Sequence, residues 1–99
     1  MNTPAYFVFN VTAIHDPQGM QPYQDAVLDT ISAHHGSVLV GGGAVDSVEG
    51  QAAGKFFIVR FDSMTAARAW YASPAYQHII GHRHASASCQ AVLLAGLPA

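Results

Sequence analysis

Two segments of the chain, residues 5–13 and 55–62, alternate with a period of two and carry large apolar side chains on both faces. This period is typical of β-strands, in which successive side chains point to opposite sides of a sheet. One face of each segment is wholly apolar, with Phe7, Phe9 and Val11 in the first and Phe57, Val59 and Phe61 in the second. The other face is mixed and includes Tyr6, Val8, Phe56 and Ile58. A sheet built from these strands needs helices on one face and a further cover on the other.

A helix is predicted after the first strand. Asp16 and Pro17 are a typical start signal, because Asp caps a helix and Pro fits its first turn. An apolar stripe with the helical period follows, and its members are Met20, Tyr23, Val27 and Ile31. His34 and His35 are predicted to close this helix, where a cation suits the helix dipole, and Gly36 to stop it.

A second helical region is interrupted at Ser73-Pro74. Ser63 is predicted to cap a helix over residues 64–72, and Ser73 to cap a new helix whose first residue is Pro74. The inward-facing large residues of this region are predicted to be Trp70, Tyr76, Ile80 and Arg83. The outward-facing ones are predicted to be His78 and His82.

Residues 37–40 and 89–97 are predicted to be two further strands. Glycines 41–43 are predicted to bend the first of these, which then continues through residues 44–48, and residues 49–54 are predicted to form a hairpin loop. The order is therefore β-α-β-β-α-β in a single domain over residues 1–99. This order predicts an α+β fold of the ferredoxin-like type, a four-stranded antiparallel sheet with its helices on one face.

The composition indicates a protein that associates with itself. Of 99 residues 51% are hydrophobic and only 10% charged, with a net charge of −2, so a nucleic-acid surface of clustered Lys and Arg is not expected. The second sheet face would be bare in a monomer, and we therefore expect a homodimer in which two sheets pack face to face. No apolar run reaches the length of a membrane span, and the single cysteine excludes an internal disulfide. We expect a cytoplasmic protein with no membrane partner.

The chain resembles the DUF1330 family of the dimeric α/β-barrel superfamily over about residues 5–96, on "YFVFNVT", "GGGAVDSVEG" and "FDSMTAARAWYASPAYQHIIGHR". The strongest matching positions are Glu49, Gly50, Phe61, Ser63, Ala67, Trp70, Tyr71, Ser73, Pro74, Tyr76 and Arg83. The resemblance implies a ferredoxin-like fold and a dimer, and it implies little about activity. The chain departs from its relatives in carrying Gly41 where they often have Arg, Arg60 where they often have an acid, and histidines at positions 78, 82 and 84.

Metal and cofactor sites are not expected. His78 and His82 are spaced i, i+4 and could reach one ion, but no obvious third ligand accompanies them, so solvated histidines are predicted. The superfamily includes haem-degrading enzymes, whose Asn and Trp are matched by Asn10 and Trp70. The position of their iron-binding His holds Ile80, which cannot ligate iron.

The candidate site is a pocket between helices and sheet. Its predicted ligand-binding residues are Trp70, Tyr76, Tyr71 and Arg60, and its predicted catalytic residues are His15, Arg83 and Asn10. For Trp70 and Tyr76 we favour the alternative interpretation, that they are core residues of the interrupted helix. An inward-facing Arg83 requires a carboxylate partner. We favour a structural ion pair with Asp25, Asp62 or Glu49, and the acid group of a ligand is the alternative.

The sequence leaves two functional hypotheses open. One is the binding of a small aromatic or carboxylated metabolite by a cofactor-free isomerase, cyclase or monooxygenase, with His15 or a histidine of the second helical region moving the proton. The other is a non-catalytic ligand-binding or accessory module. Polar groups that converge on a cavity would favour the first, and histidines confined to the surface would favour the second.

Overall fold

The computed structural model describes residues 3–51 and 54–98. Its elements in chain order are β1 (Ala5–Ile14), α1 (Pro17–Ala33), β2 (Ser37–Gly41), β3 (Lys55–Phe61), α2 (Met64–Ala72), α3 (Pro74–Ser86) and β4 (Ala87–Ala95). The strands form one sheet in the order β2-β3-β1-β4, and every neighbouring pair is antiparallel. The predicted ferredoxin-like arrangement is confirmed, with its second helix divided into α2 and α3.

The strand register divides the sheet into two faces of different character. Phe7 pairs with Val59, and Phe9 pairs with Phe57, so the wholly apolar sets of β1 and β3 share the face that the helices cover. Phe7 and Phe9 are buried there. None of the helices in residues 3–51 and 54–98 has the length and apolarity that crossing a bilayer requires.

Side-chain caps set the helix boundaries where the sequence predicts them. The Asp16 carboxylate accepts a hydrogen bond from the Gly19 amide at the start of α1, and Ser63 Oγ accepts one from the Ala66 amide at the start of α2. Ser73 serves two helices, because its hydroxyl donates to the Trp70 carbonyl at 2.7 Å and accepts from the Tyr76 amide at 3.3 Å. The break at Ser73-Pro74 is therefore a capped restart, as predicted.

The core is centred on Trp70, Tyr76 and Phe61, which are fully buried. The Trp70 and Tyr76 ring centroids lie 4.1 Å apart, and Trp70 Nε1 donates to Thr30 Oγ1 at 3.1 Å. Ile80 and Arg83 are also buried. The inward stripe of α3 is thus confirmed, and His78 and His82 are exposed as predicted.

The connection from β2 to β3 differs from the prediction. Residues 44–48 do not continue β2. β2 ends at Gly41 opposite Phe57, and β3 begins at Lys55, so β3 has no residues with which 44–48 could pair. Gly42 turns the chain away with a φ of 78°, while its amide donates to the Phe56 carbonyl. Positions 52 and 53 of the predicted hairpin loop lie outside the described residues.

Two element ends also differ. His35, not Gly36, takes the left-handed conformation after α1, with a φ of 58°. Gly36 is required for another reason, since a Cβ there would lie 2.7 Å from side-chain atoms of both Ile31 and Phe61. α3 continues to Ser86 and β4 starts directly at Ala87, two residues before the predicted start, because Ala87 already pairs with Ile14.

The sheet face away from the helices, called the outer face here, is apolar at its centre. Val8 pairs with Ile58 on one side and Val92 on the other, and Tyr6 pairs with Leu94. Val92 and Leu94 are 51% and 50% exposed in the single chain, whereas Tyr6, Val8 and Ile58 are half-buried. None of the helices in the described part of the chain covers this face.

Candidate functional site

A cavity of about 550 Å³ lies between α1 and the helix-covered face of the sheet. Its walls are largely apolar, with Val27, Leu28 and Ile31 from α1, Phe9 and Val11 from β1, Phe57 and Val59 from β3, and Trp70 from α2. This volume falls within the range of small-molecule sites, roughly 300–1,000 Å³, and such sites combine apolar walls with a few polar groups.

Arg83 supplies the buried charged group of this cavity. It projects from α3, is only 4% exposed, and lines the cavity with its guanidinium carbon 5.3 Å from the centre of the Phe9 ring and 5.7 Å from that of Tyr23. Both contacts are of the cation–π type and offset part of the lost hydration. The buried Arg83 Nε has no hydrogen-bond partner.

The predicted structural ion pair of Arg83 is wrong. Within residues 3–51 and 54–98, the one ion pair joins Arg60 to Asp62 at 3.1 Å, and no carboxylate lies within 4 Å of Arg83. Asp25 instead accepts a hydrogen bond from Gln21 on the same helix, and Glu49 is exposed in the β2–β3 loop. Periodicity placed Arg83 inward correctly but could not show which groups lie opposite it.

Two tyrosines stand beside the Arg83 side chain. Tyr23 and Tyr76 have ring centroids 5.9 Å apart and share a hydrogen bond of 2.8 Å between their hydroxyls. Burial raises the pKa of both, so both hydroxyls are protonated at neutral pH. The two hydroxyls carry two protons but share one hydrogen bond, so one hydroxyl proton takes no part in that bond. Of the two tyrosines, Tyr23 lines the cavity.

Arg83 is a permanent cation in this setting. Burial acts to lower the pKa of Arg83, the nearby Tyr76 and Tyr23 side chains act to raise it, and the net direction is upward. Lys55, exposed at the start of β3, also borders the cavity. The described residues that line the cavity include these two cations and no Asp, Glu or His, so the cavity favours an anion.

Three of the seven predicted site residues come together here. Trp70 and Arg83 line the cavity, and Tyr76 is joined to it through Tyr23. Tyr71 is half-buried and stacks on Phe7 with centroids 5.5 Å apart, outside the cavity wall.

The other three predicted residues are elsewhere. His15 is exposed in the loop between β1 and α1, where its Nε2 hydrogen-bonds to Ser88 Oγ at 2.7 Å. Asn10 belongs to the outer face of the sheet and has a buried Oδ1 without a partner. Arg60 pairs with Tyr6 on that face and is engaged by Asp62.

Sequence reasoning missed Tyr23, Lys55 and Cys89 as site residues. Tyr23 belongs to the predicted apolar stripe of α1, and its hydroxyl, the one polar group in that stripe, is the signal that distinguishes it. Lys55 continues the alternation of Phe57 and Val59, so its place on the helix-covered face was readable. Cys89 lies opposite Val11, a pairing that only the strand register reveals.

The model of the DUF1330 family, a domain of unknown function, matches residues 4–97. The chain belongs to the DUF1330 family. Comparison of this DUF1330 chain with curated proteins gives no match.

Several solved structures share the fold of this DUF1330 protein at low sequence identity. A protein of unknown function from Rhodopseudomonas palustris is 18% identical, with a TM-score of 0.68 over 100% of this chain and 86% of that one. A dimeric ferredoxin-like protein of unknown function from Thermobifida fusca is 10% identical, with a TM-score of 0.55 over 96% and 92%. SnoaB, a cofactor-independent oxygenase from Streptomyces nogalater, is 12% identical, with a TM-score of 0.52 over 100% and 97%. At these identities the likeness concerns the fold alone.

Proposed function

We propose that this DUF1330 protein binds a small apolar carboxylate in the cavity between α1 and the sheet, with Arg83 as the anchor of the carboxylate. One observation carries the proposal: the Arg83 guanidinium is buried against the cavity with no carboxylate within 4 Å among the described residues. A buried cation without a counterion is costly, and a ligand carboxylate removes that cost while accepting hydrogen bonds from the guanidinium.

The surrounding groups support the same ligand class. Tyr23 lies beside Arg83 and can donate a second hydrogen bond to the ligand when Tyr76 is the donor in the bond between the two hydroxyls. Hydrogen bonds to charged groups stabilise by about 1.5–3 kcal/mol each. The aromatic side chains Phe9, Phe57 and Trp70 border the rest of the cavity and would pack against a ring or a branched aliphatic chain. We therefore place an aromatic or branched monocarboxylate in the cavity, with its acid group toward α3.

The proposal is one of binding, not of catalysis. A cofactor-free isomerase, cyclase or monooxygenase needs a group that accepts a proton beside its ligand. His15 lies outside the cavity wall, and the histidines of α3 at positions 78, 82 and 84 are exposed. This distribution favours the non-catalytic ligand-binding module over the enzyme.

Paired neutral and anionic probes test the carboxylate anchor. We expect phenylacetate to shift the amide NMR signals of α1 and α3 residues around the cavity, and phenylacetamide, which has the same shape without the charge, to bind at least about tenfold more weakly. Arg83→Met should abolish this difference. Arg68→Met, a change of an exposed arginine on α2, is the matched control and should preserve it. Equal affinities of acid and amide for the wild-type protein would refute the proposed function.

We also propose that the protein is a homodimer in which the outer faces of two sheets pack together. Val8, Ile58 and Val92 form an apolar row across the centre of the outer face, and such a row is rarely left open to water. A solved neighbour of the same fold is described as dimeric. Two-fold packing would cover this face symmetrically.

Sedimentation at micromolar concentration tests the homodimer. Val8→Lys places a charge at the centre of the row and should yield monomers or unfolded chains, since burying an unpaired charge costs several kcal/mol or more. Val48→Lys changes an exposed valine of the β2–β3 loop and should leave the mass unchanged. A folded wild-type monomer at this concentration would rule the homodimer out.

A further inference from the structure

Cys89 is the single cysteine of the chain, and it lies in the wall of the cavity. It belongs to β4, where it pairs with Val11 and shares the helix-covered face with it. The side chain is half-buried, and its Sγ has one weak contact, 3.6 Å from the Gln90 carbonyl oxygen. The thiol is therefore neither locked in a disulfide nor held by a strong hydrogen bond.

The strand register places this thiol next to the anion site. The Phe9–Ala91 pair, on which the Arg83 guanidinium rests, is the next pair on the same face after Val11–Cys89. Neighbours on one face of a strand are about 6.6–6.8 Å apart. Arg83 and Cys89 thus line the same cavity, with Arg83 over the Phe9 ring and Cys89 opposite Val11, the next residue of β1 on that face.

Arg83 supplies an independent indication that a ligand is held there. Its side chain is 96% buried, since 4% is exposed, it lines the same cavity, and its Nε has no partner. A carboxylate held by this guanidinium can direct its adjacent carbon atoms toward Val11 and Cys89, which line the same cavity on the neighbouring strand pair.

We infer that Cys89 is a covalent modification site for small carboxylates whose α- or β-carbon is electrophilic, with Arg83 holding the carboxylate. The inference rests on the proposed function, because it uses the same anion site. It adds a reactive group to that site and a narrower ligand class, the α-halo and α,β-unsaturated acids.

The chemistry needs no reagent beyond the ligand and water. With an unsaturated acid, the Cys89 thiolate forms an S–C bond to the β-carbon while the C=C π bond breaks. The electron pair of the π bond moves to the α-carbon, which then takes a proton from water. The proton that the thiol lost to the solvent on ionisation balances the proton taken from water. With an α-halo acid, the S–C bond forms as the carbon–halogen bond breaks, and the halide leaves with the electron pair.

Iodoacetate and iodoacetamide form a matched pair of probes, since they deliver similar groups with and without a negative charge. The rate of mass gain of the intact protein, less that of Cys89→Ser, reports on Cys89, which is the single cysteine. We expect Arg83→Met to slow iodoacetate labelling by about tenfold or more, as expected for loss of a charge-assisted contact, and to leave iodoacetamide labelling within about twofold. Arg68→Met should change neither rate.

A second measurement uses only the wild-type protein and so does not depend on how the variants fold. Saturating phenylacetate should protect Cys89 from iodoacetate, whereas phenylacetamide at the same concentration should not. If phenylacetate binds by NMR but labelling is unselective or Cys89 does not react, the modification site is refuted and the carboxylate-binding function stands. If phenylacetate binds no better than phenylacetamide, the proposed function fails first and this inference fails with it.

Discussion

Replacing Arg83 with methionine should make the ligand-free protein more stable. A buried cation without a counterion costs several kcal/mol of folding free energy. The two ring contacts, at 5.3 Å to Phe9 and 5.7 Å to Tyr23, offset about 0.5–2 kcal/mol each. Methionine fills much of the same space with an unbranched apolar chain and leaves no charge behind. We therefore expect a net gain of about 1–3 kcal/mol in the free energy of unfolding.

Urea denaturation is a suitable assay, because Trp70 is the only tryptophan and is fully buried, so that its fluorescence reports on the core. Thermal melts should agree, with an upward shift of about 4–8 °C for each kcal/mol in a chain of this size. All samples need the same protomer concentration, since association would shift the midpoint by mass action. Adding phenylacetate should stabilise the wild-type protein and leave Arg83→Met unchanged.

Two further variants separate the charge from its packing. Arg83→Lys keeps the buried charge and loses the planar group that stacks on the rings, so it should be less stable than the wild type. Arg68→Met should lie within about 0.5 kcal/mol of the wild type, as exposed substitutions usually do. If Arg83→Met is instead destabilised by more than about 1 kcal/mol, Arg83 is stabilised by protein groups, and a ligand is not needed to explain its burial.

Three other predictions concern α2 and α3. Trp70→Ala or Tyr76→Ala should lower the free energy of unfolding by about 3–5 kcal/mol, as for other buried aromatics, and a loss below about 1 kcal/mol in urea melts would contradict their central place in the core. Ser73→Ala should cost about 1–2 kcal/mol, because its hydroxyl contacts both helices, and Ser73→Gly should not restore the bond to the Trp70 carbonyl. Replacing His78 and His82 together with Gln should change stability by no more than about 0.5 kcal/mol each, and melting with and without zinc should give the same curve; a zinc-dependent rise in the wild type alone would reveal a metal site.

Local signals were sufficient for most of the fold. The caps at Asp16, Ser63 and Ser73 act within three residues, so the sequence alone marks where α1, α2 and α3 begin. The period-two segments likewise identify β1 and β3, because each face is set by the alternation itself. The end of β2 was missed because a strand needs a partner, and where β3 begins is decided by a different part of the chain.

The candidate site was harder to predict from the sequence than the fold, for a related reason. Periodicity states which face of α3 carries Arg83, but not that Phe9 and Tyr23 lie beneath it or that Asp25 is engaged on its own helix. The cavity itself is a space between elements, and no single segment encodes it. Tyr23 is predicted as a core residue because it is buried in the core, and the sequence does not show that it also lines the cavity.

Two features of the described residues contradict the ordinary rules of folding, and each of the two proposed partners would account for one of them. Within residues 3–51 and 54–98, the row of Val8, Ile58 and Val92 lies on a sheet face that no helix covers, and Arg83 is a buried cation without a counterion. Elsewhere in this chain the local sequence preferences agree with the fold. Departures from such agreement concentrate at functional positions. Since a second chain would cover the outer face and a carboxylate would neutralise Arg83, the two partners act on opposite sides of the same sheet. Binding and assembly should therefore be separable by mutation, even though β1 contributes to both surfaces through alternate residues.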